Sequence, residues 1–119
     1  QDDAAFPKMA AEHYTASVYD LFDTSSPILQ RNYKDPAAWG VGRVIVQRHR
    51  IRHWMNGNLI IDELDDSARF AEAIQNSKFR GQENFGRNQQ GRLMLTDHGS
   101  EVWYRNVYIR RLDGKPLVP

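Results

Sequence analysis

Cysteine is absent from the 119 residues. Its absence excludes disulfides and thiolate metal sites, yet leaves the compartment open, because many exported proteins also lack cystine. A dominant charge is missing too: 16 Lys and Arg stand against 15 Asp and Glu, for a net charge of +1. So even a balance supplies no field for nucleic acid or an anionic membrane, and a neutral or small polar partner is expected instead. No apolar run nears the ~20 residues that a bilayer span requires, and the polar opening QDDAAFPKMAAEH has no apolar signal-peptide core. No membrane span is expected, and the chain should be soluble as it stands. Internal repeats, low-complexity tracts, a GxSxG elbow and a phosphate-binding loop are likewise missing.

What is present is ordinary globular material, 40% hydrophobic and 26% charged, in a length suited to a single domain over residues 1–119. The segment GRVIVQRHRIRHWMNGNLIIDEL (42–64) interrupts β-branched runs at Arg48-His49 and again at Asn56-Gly57, the second a type I′ hairpin signal. It predicts a three-stranded meander. Counting by twos along the middle strand puts Ile51, His53 and Met55 on one face and Arg52, Trp54 and Asn56 on the other. Next, DDSARFAEAIQNSKF offers Asp65, Asp66 or Ser67 as N-cap, with Phe70 and Ile74 at i, i+4 spacing, so one short helix is expected near 66–77. Gly81, Gly86 and Gly91 among Asn and Gln then mark a loop.

The alternation resumes at Leu93 and Leu95, and again from Trp103 to Arg110, with Asp97 to Ser100 connecting two expected strands. Upstream, SVYDLF (17–22) reads as a short strand and SSPILQRNYKDPAAWG (25–40) as an extended loop, while FPKMAAEHYT (6–15) fits either irregular or helical chain. About six strands with one helix favour an all-β antiparallel sandwich over a doubly wound fold. That number is low for closure, so at least one inner face is expected to be incompletely covered.

Several residues could carry chemistry. Asp97-His98-Gly99 reads from its pattern as a hairpin turn, in which Asp accepts backbone N–H groups and Gly takes positive φ. The functional alternative makes His98 an acid/base near neutral pH, with Asp97 fixing its tautomer or binding a metal or hydroxyl. Trp54, Asn56, Trp103 and Arg105 form a second set: either the indoles are core with Arg105 covering them, or they are a platform on which a sugar ring stacks while Asn and Arg bond its hydroxyls. His13, His49 and His53 have no zinc-site spacing. Arg43, Arg48, Arg50 and Arg52 make a basic stripe whose acidic neighbours suit a solvated strand face better than a phosphate site.

Taken in order and spacing, HWMNG (53–57), SKF (77–79), FG (85–86) and above all LTDHGSEVWYRNVYIRRL (95–112) resemble the bacterial domain family of 3-keto-glycoside lyases and hydratases, also called 3-keto-disaccharide hydrolases. The similarity runs upstream through VYDLF to DDAAFPK, nearly the whole chain. The resemblance implies a concanavalin A-like β-sandwich, or jelly roll, of roughly two hundred residues, of which this chain would be the C-terminal part. It implies that the preceding strands lie elsewhere, in a second chain, a second copy or a longer protein. A sugar or glycoside ligand and a periplasmic or extracellular location are implied as well.

The family chemistry is physically intelligible. A ketone at carbon 3 acidifies the proton on carbon 2, so a base can remove it and expel the glycosidic oxygen from carbon 1, after which water adds to the enone. Such a site needs a base, an electrophile near the ketone oxygen and groups that hold the ring. It requires no cofactor, although a divalent metal ion could serve as the electrophile. Carried over by the resemblance, His98 is the acid/base and Asp97 its orienter or a metal ligand. Trp54, Asn56, Trp103, Arg105 and Asn106 would hold substrate, with Lys78 a lesser candidate for positioning. Where the family often has Gln before Asp-His-Gly this chain has Thr96; Ala38 and Gly40 flank Trp39 in place of Glu and Asn; and Arg52 replaces Glu. Those departures leave open a noncatalytic carbohydrate-binding module, or a fragment completed by a partner.

Overall fold

A computed structural model describes residues 8–23, 38–88, 90–97, 99 and 101–114. The chain divides into two compact units, Gln1–Gln89 and Gln90–Pro119. The first carries the expected meander: β1 (Gly42–Gln47), β2 (Arg50–Met55) and β3 (Asn58–Leu64) form an antiparallel sheet in the order β1-β2-β3. Asn56 and Gly57 take φ of 49° and 82°, the paired left-handed conformation that matches the twist of a two-residue hairpin. Asn56 has a further part in this turn. Its backbone N–H donates to the Val41 carbonyl, and its side-chain Oδ1 accepts from the Val41 N–H, both at 2.8 Å, so one residue extends the β1–β2 pairing past its last ladder rung.

The register slips once. His53 faces Ile61 but Trp54 faces Leu59, which leaves Ile60 as the extra residue of a β-bulge in β3. A bulge turns adjacent side chains toward the same side of the sheet, and both Ile60 and Ile61 pack in the core. That core centres on Phe22, Ile61 and Phe70, with Val18, Leu21, Ile51, Ala73 and Ile74 around it.

The helix α1 (Ala68–Asn76) covers this cluster with Phe70, its buried residue. Ser67 is the N-cap: its Oγ accepts from the Phe70 N–H at 3.1 Å, satisfying one of the orphan donors of the first turn. The helix stops at Ser77, whose Oγ donates to the Ile74 carbonyl at 2.9 Å.

Two expectations about strands are corrected. Residues 17–22 form a tight turn rather than a strand, with one isolated bridge between Val18 and Phe22 and a left-handed Asp20 at φ 66°. Its cause is tertiary, because both carboxylate oxygens of Asp20 bond partners outside the turn. Before it, Ala11–His13 make one 3-10 turn, which settles the described part of 6–15. In the second unit, the alternating residues around Leu93–Leu95 and Trp103–Ile109 form no strand among the described residues and are exposed. Alternation marks a chain that could join a sheet, whereas a strand exists only with a neighbour's backbone to pair with. The loop expected over 25–40 lies outside the described residues except for Ala38, Trp39 and Gly40. Among the described residues the architecture is thus that of an incomplete all-β sandwich: one antiparallel sheet of three strands with one short helix.

Candidate functional site

In the first unit, β2 sets Arg52 and Trp54 two residues apart and therefore on one face, where the guanidinium carbon of Arg52 lies 5.5 Å from the indole centroid. The arginine thus covers a face of the tryptophan. Arg52 stands opposite Asp62 in the ladder, yet Asp62 is bonded by Arg50, Nε to Oδ1 and Nη2 to Oδ2, each at 2.6 Å. This fork draws the Asp62 carboxyl below the usual carboxylate range and raises Arg50 above its ordinary value. Arg52 Nε is consequently buried without a hydrogen-bond partner among the described residues. Asn56 sits at the hairpin turn with its amide oxygen committed to Val41. The basic stripe is largely what its acidic neighbours suggested, a strand face with an ion pair.

Lys78 follows α1. Its backbone N–H donates to Asp20 Oδ2 at 2.7 Å, and its ammonium lies 4.0 Å from the centroid of Tyr19 and 5.3 Å from that of Phe79. Tyr19 stacks on His13 at 4.6 Å, and His13 Nε2 meets the other oxygen of Asp20 at 2.6 Å. The hydrogen bond from His13, and after it the one from the Lys78 backbone, hold the Asp20 carboxyl below its ordinary value. Sequence reasoning overlooked His13 and Asp20 as a pair. The available signal was an Asp in the middle of a supposed strand, a place where Asp is disfavoured.

Between α1 and the glycine-rich loop lies an open cleft of about 240 Å³, lined in part by Ile74, Gln75, Gln82, Phe85, Gly86 and Arg87. No residue singled out in the sequence as a site residue lines it.

The second unit holds the Asp97-His98-Gly99 turn. Asp97 Oδ1 accepts from the Gly99 N–H at 2.9 Å, an Asx turn, and Gly99 takes φ 82°. The turn reading is therefore correct for Asp97 and Gly99, while His98 lies outside the described residues. Tyr104 donates from its hydroxyl to the Thr96 carbonyl at 2.6 Å, tying the two sides of the turn together. Trp103 is 68% exposed, with its indole N–H fixed on Glu101 Oε1 at 2.9 Å, so the ring is oriented yet open to solvent. Arg105 and Asn106 are exposed too, and Asn106 has a left-handed backbone at φ 53°.

The donor types that a divalent cation needs gather in two places among the described residues: Glu12, His13 and Asp20, and His49, Asp65 and Asp66. Both are internally hydrogen-bonded, with His13 on Asp20 at 2.6 Å and His49 Nδ1 on Asp65 Oδ1 at 2.9 Å, and each could offer its donor atoms to an ion. Neither group includes Asp97.

Among the described residues no helix is long and apolar enough to cross a membrane. The chain belongs to the 3-keto-alpha-glucoside-1,2-lyase-like domain family, whose sequence model matches residues 1–110. It is also similar to a 3-keto-disaccharide hydrolase of Bacteroides thetaiotaomicron, with 26% identity over 110 residues, an alignment that takes in 83% of this chain and 36% of that protein. The chain thus spans little more than a third of that relative's length. No solved structure matches it.

Proposed function

We propose that the chain is part of a carbohydrate-active enzyme that cleaves 3-keto-glycosides by removing the carbon-2 proton, eliminating the carbon-1 substituent and hydrating the resulting enone. The observation that carries this reading is the family match across residues 1–110, which takes in the Asx turn at Asp97 and its Tyr104 fastening. His98 acts as acid/base, and Asp97 is its orienter or a metal ligand. Trp103 offers a stacking face, while Trp54, Asn56, Arg105, Asn106 and Lys78 contribute to ring binding and orientation. A divalent ion, when bound, would polarise the ketone oxygen, and Asp97 is the candidate ligand for it. The working protein is a complete jelly-roll sandwich of which this chain is the C-terminal part, completed by the rest of a longer protein or by a second copy, and it acts in the periplasm or outside the cell. Cell fractionation tests the location.

The decisive measurement is enone absorbance on adding a 3-keto-glucoside to the full-length protein. Wild-type protein should generate it, and His98→Ala should lower the rate by about 10²-fold or more, in the range expected on losing a general acid/base. A second reading, a carbohydrate-binding module without turnover, is favoured by the exposed and oriented Trp103 ring. Saturable sugar binding with no enone would decide for it.

A further inference from the structure

We infer that His13 and Asp20, with the ammonium of Lys78 beside them, form a second proton-transfer group, in which His13 is the base that takes the carbon-2 proton. The assignment rests on the 3-keto-glycoside reading and names residues within it that the motifs alone did not indicate.

The geometry has the three parts that such a step needs. The base comes first. With Nε2 of His13 donating to Asp20 Oδ1 at 2.6 Å, the imidazole is held in the tautomer whose Nδ1 carries the lone pair. The carboxylate is fixed in turn, because its second oxygen accepts the Lys78 backbone N–H at 2.7 Å, a bond that spans 58 positions of sequence. Asp20 also adopts φ 66°, a left-handed backbone that only a few per cent of non-glycine residues take. Its two-sided hydrogen bonding holds it there.

The third part is an electrophile. The ammonium of Lys78 lies 4.0 Å from the Tyr19 ring centroid, and His13 stacks at 4.6 Å from that same centroid. Imidazole and ammonium therefore both lie against one phenol ring, the imidazole centroid and the ammonium nitrogen being separated by no more than the sum of those distances. His13 and Asp20 are partly shielded, with side chains 27% and 13% exposed, whereas Lys78 and Tyr19 open to solvent. Glu12 is a further charged group at this place, its carboxylate lying within 4.8 Å of the His13 and Asp20 polar atoms.

In this step the carbon-2–hydrogen bond breaks and its proton goes to Nδ1 of His13. The electron pair left on carbon 2 passes through the enolate, whose oxygen the Lys78 ammonium hydrogen-bonds without giving up its proton. It then forms the carbon-1–carbon-2 double bond as the carbon-1–oxygen bond breaks. The departing oxygen keeps that bond's electrons and takes a proton from His98, which is thereby the acid of the pair while His13 is the base. No oxidation or reduction occurs. Asp20 is a positioning residue in this scheme, because it acts through His13.

The test isolates proton removal from departure. A 3-keto sugar with hydrogen in place of the carbon-1 substituent cannot eliminate, but it can exchange its carbon-2 proton with deuterated water, followed by NMR. Full-length wild-type protein should catalyse that exchange; His13→Gln should slow it by about 10²-fold or more, and Asp20→Asn should slow it less while displacing its pH profile. Added imidazole should restore part of the exchange to His13→Gly, a rescue that a purely structural role would not allow. Exchange at the wild-type rate in a folded His13→Gln protein overturns the assignment. So does His13→Gly that folds as wild type yet gains nothing from imidazole. Failure of the wild-type protein to form any enone overturns the parent reading instead, so the two failures are distinguishable.

Discussion

Asp20 shows how much one side chain can determine that its neighbours in sequence do not. Its oxygens bond His13 and the Lys78 backbone, and they replace an expected strand with a turn. Those partners also give it a pH signature. A carboxyl whose folded-state pKa lies below its unfolded value stabilises the fold above that unfolded value, near 4, and the contribution fades as pH falls through that region. The stability difference between wild type and Asp20→Asn, read from urea unfolding, should therefore be constant around neutrality and close as pH drops below about 4. A difference that persists unchanged at the acid end would show that the hydrogen bonds, and not the charge, are what Asp20 contributes. Asn56 was legible for another reason: Asn-Gly at a hairpin tolerates left-handed backbone at both positions, and the chain takes φ 49° and 82° there. Its amide bond to Val41 was not legible, since nothing in the sequence says which backbone group lies opposite a turn.

Among elements, legibility followed locality. The meander and α1 could be read because a two-residue turn, a Ser cap and i, i+4 apolar spacing all act within a few residues. Three N-caps were open in the sequence, and Ser67 is the one used. Ser67→Ala should cost about 1 kcal/mol, the usual loss on removing an N-cap oxygen. Phe70→Ala should cost more, about 3–5 kcal/mol, since Phe70 is 4% exposed and meets Phe22 with ring centroids 5.5 Å apart. Denaturant unfolding of the two variants should rank them in that order. Equal losses would mean that α1 is held by its cap rather than by the core. The alternation after residue 91 was legible as pattern but not as outcome, because pairing depends on a neighbouring strand that the pattern does not specify. The Asx turn within it was readable, as Asp and Gly two apart need only each other.

For the whole molecule, β1 and β3 are the outer strands of the sheet, and Val44, Val46, Leu59 and Leu64 are between 47% and 62% exposed. Outer strands and open apolar side chains of this kind are usually covered by further structure. On the proposed reading, these 119 residues alone should bind a hydrophobic dye such as ANS and self-associate in sedimentation, and a form in which the sandwich is completed should do neither. A monomer of 119 residues that binds no dye would refute the reading as an incomplete sandwich. Family membership could be read from the ordered motifs, and the sequence-family match bears it out. Which of the candidate site residues share a ligand could not be read in that way, because motif order fixes positions along a chain and not the distances between them.

The extra residue in β3 works as a phase slip. Before it, position parity assigns one set of residues to the interior; after it, the opposite parity does, and Ile60 and Ile61 are the two neighbours that both count as inward. A relative that lost one of these isoleucines would keep an interior side chain at this rung while every residue toward the hairpin changed its odd or even label. Comparison of such chains by alternation alone would set Leu59 against the wrong partner, and the discrepancy would look like divergence although a single deletion accounts for it.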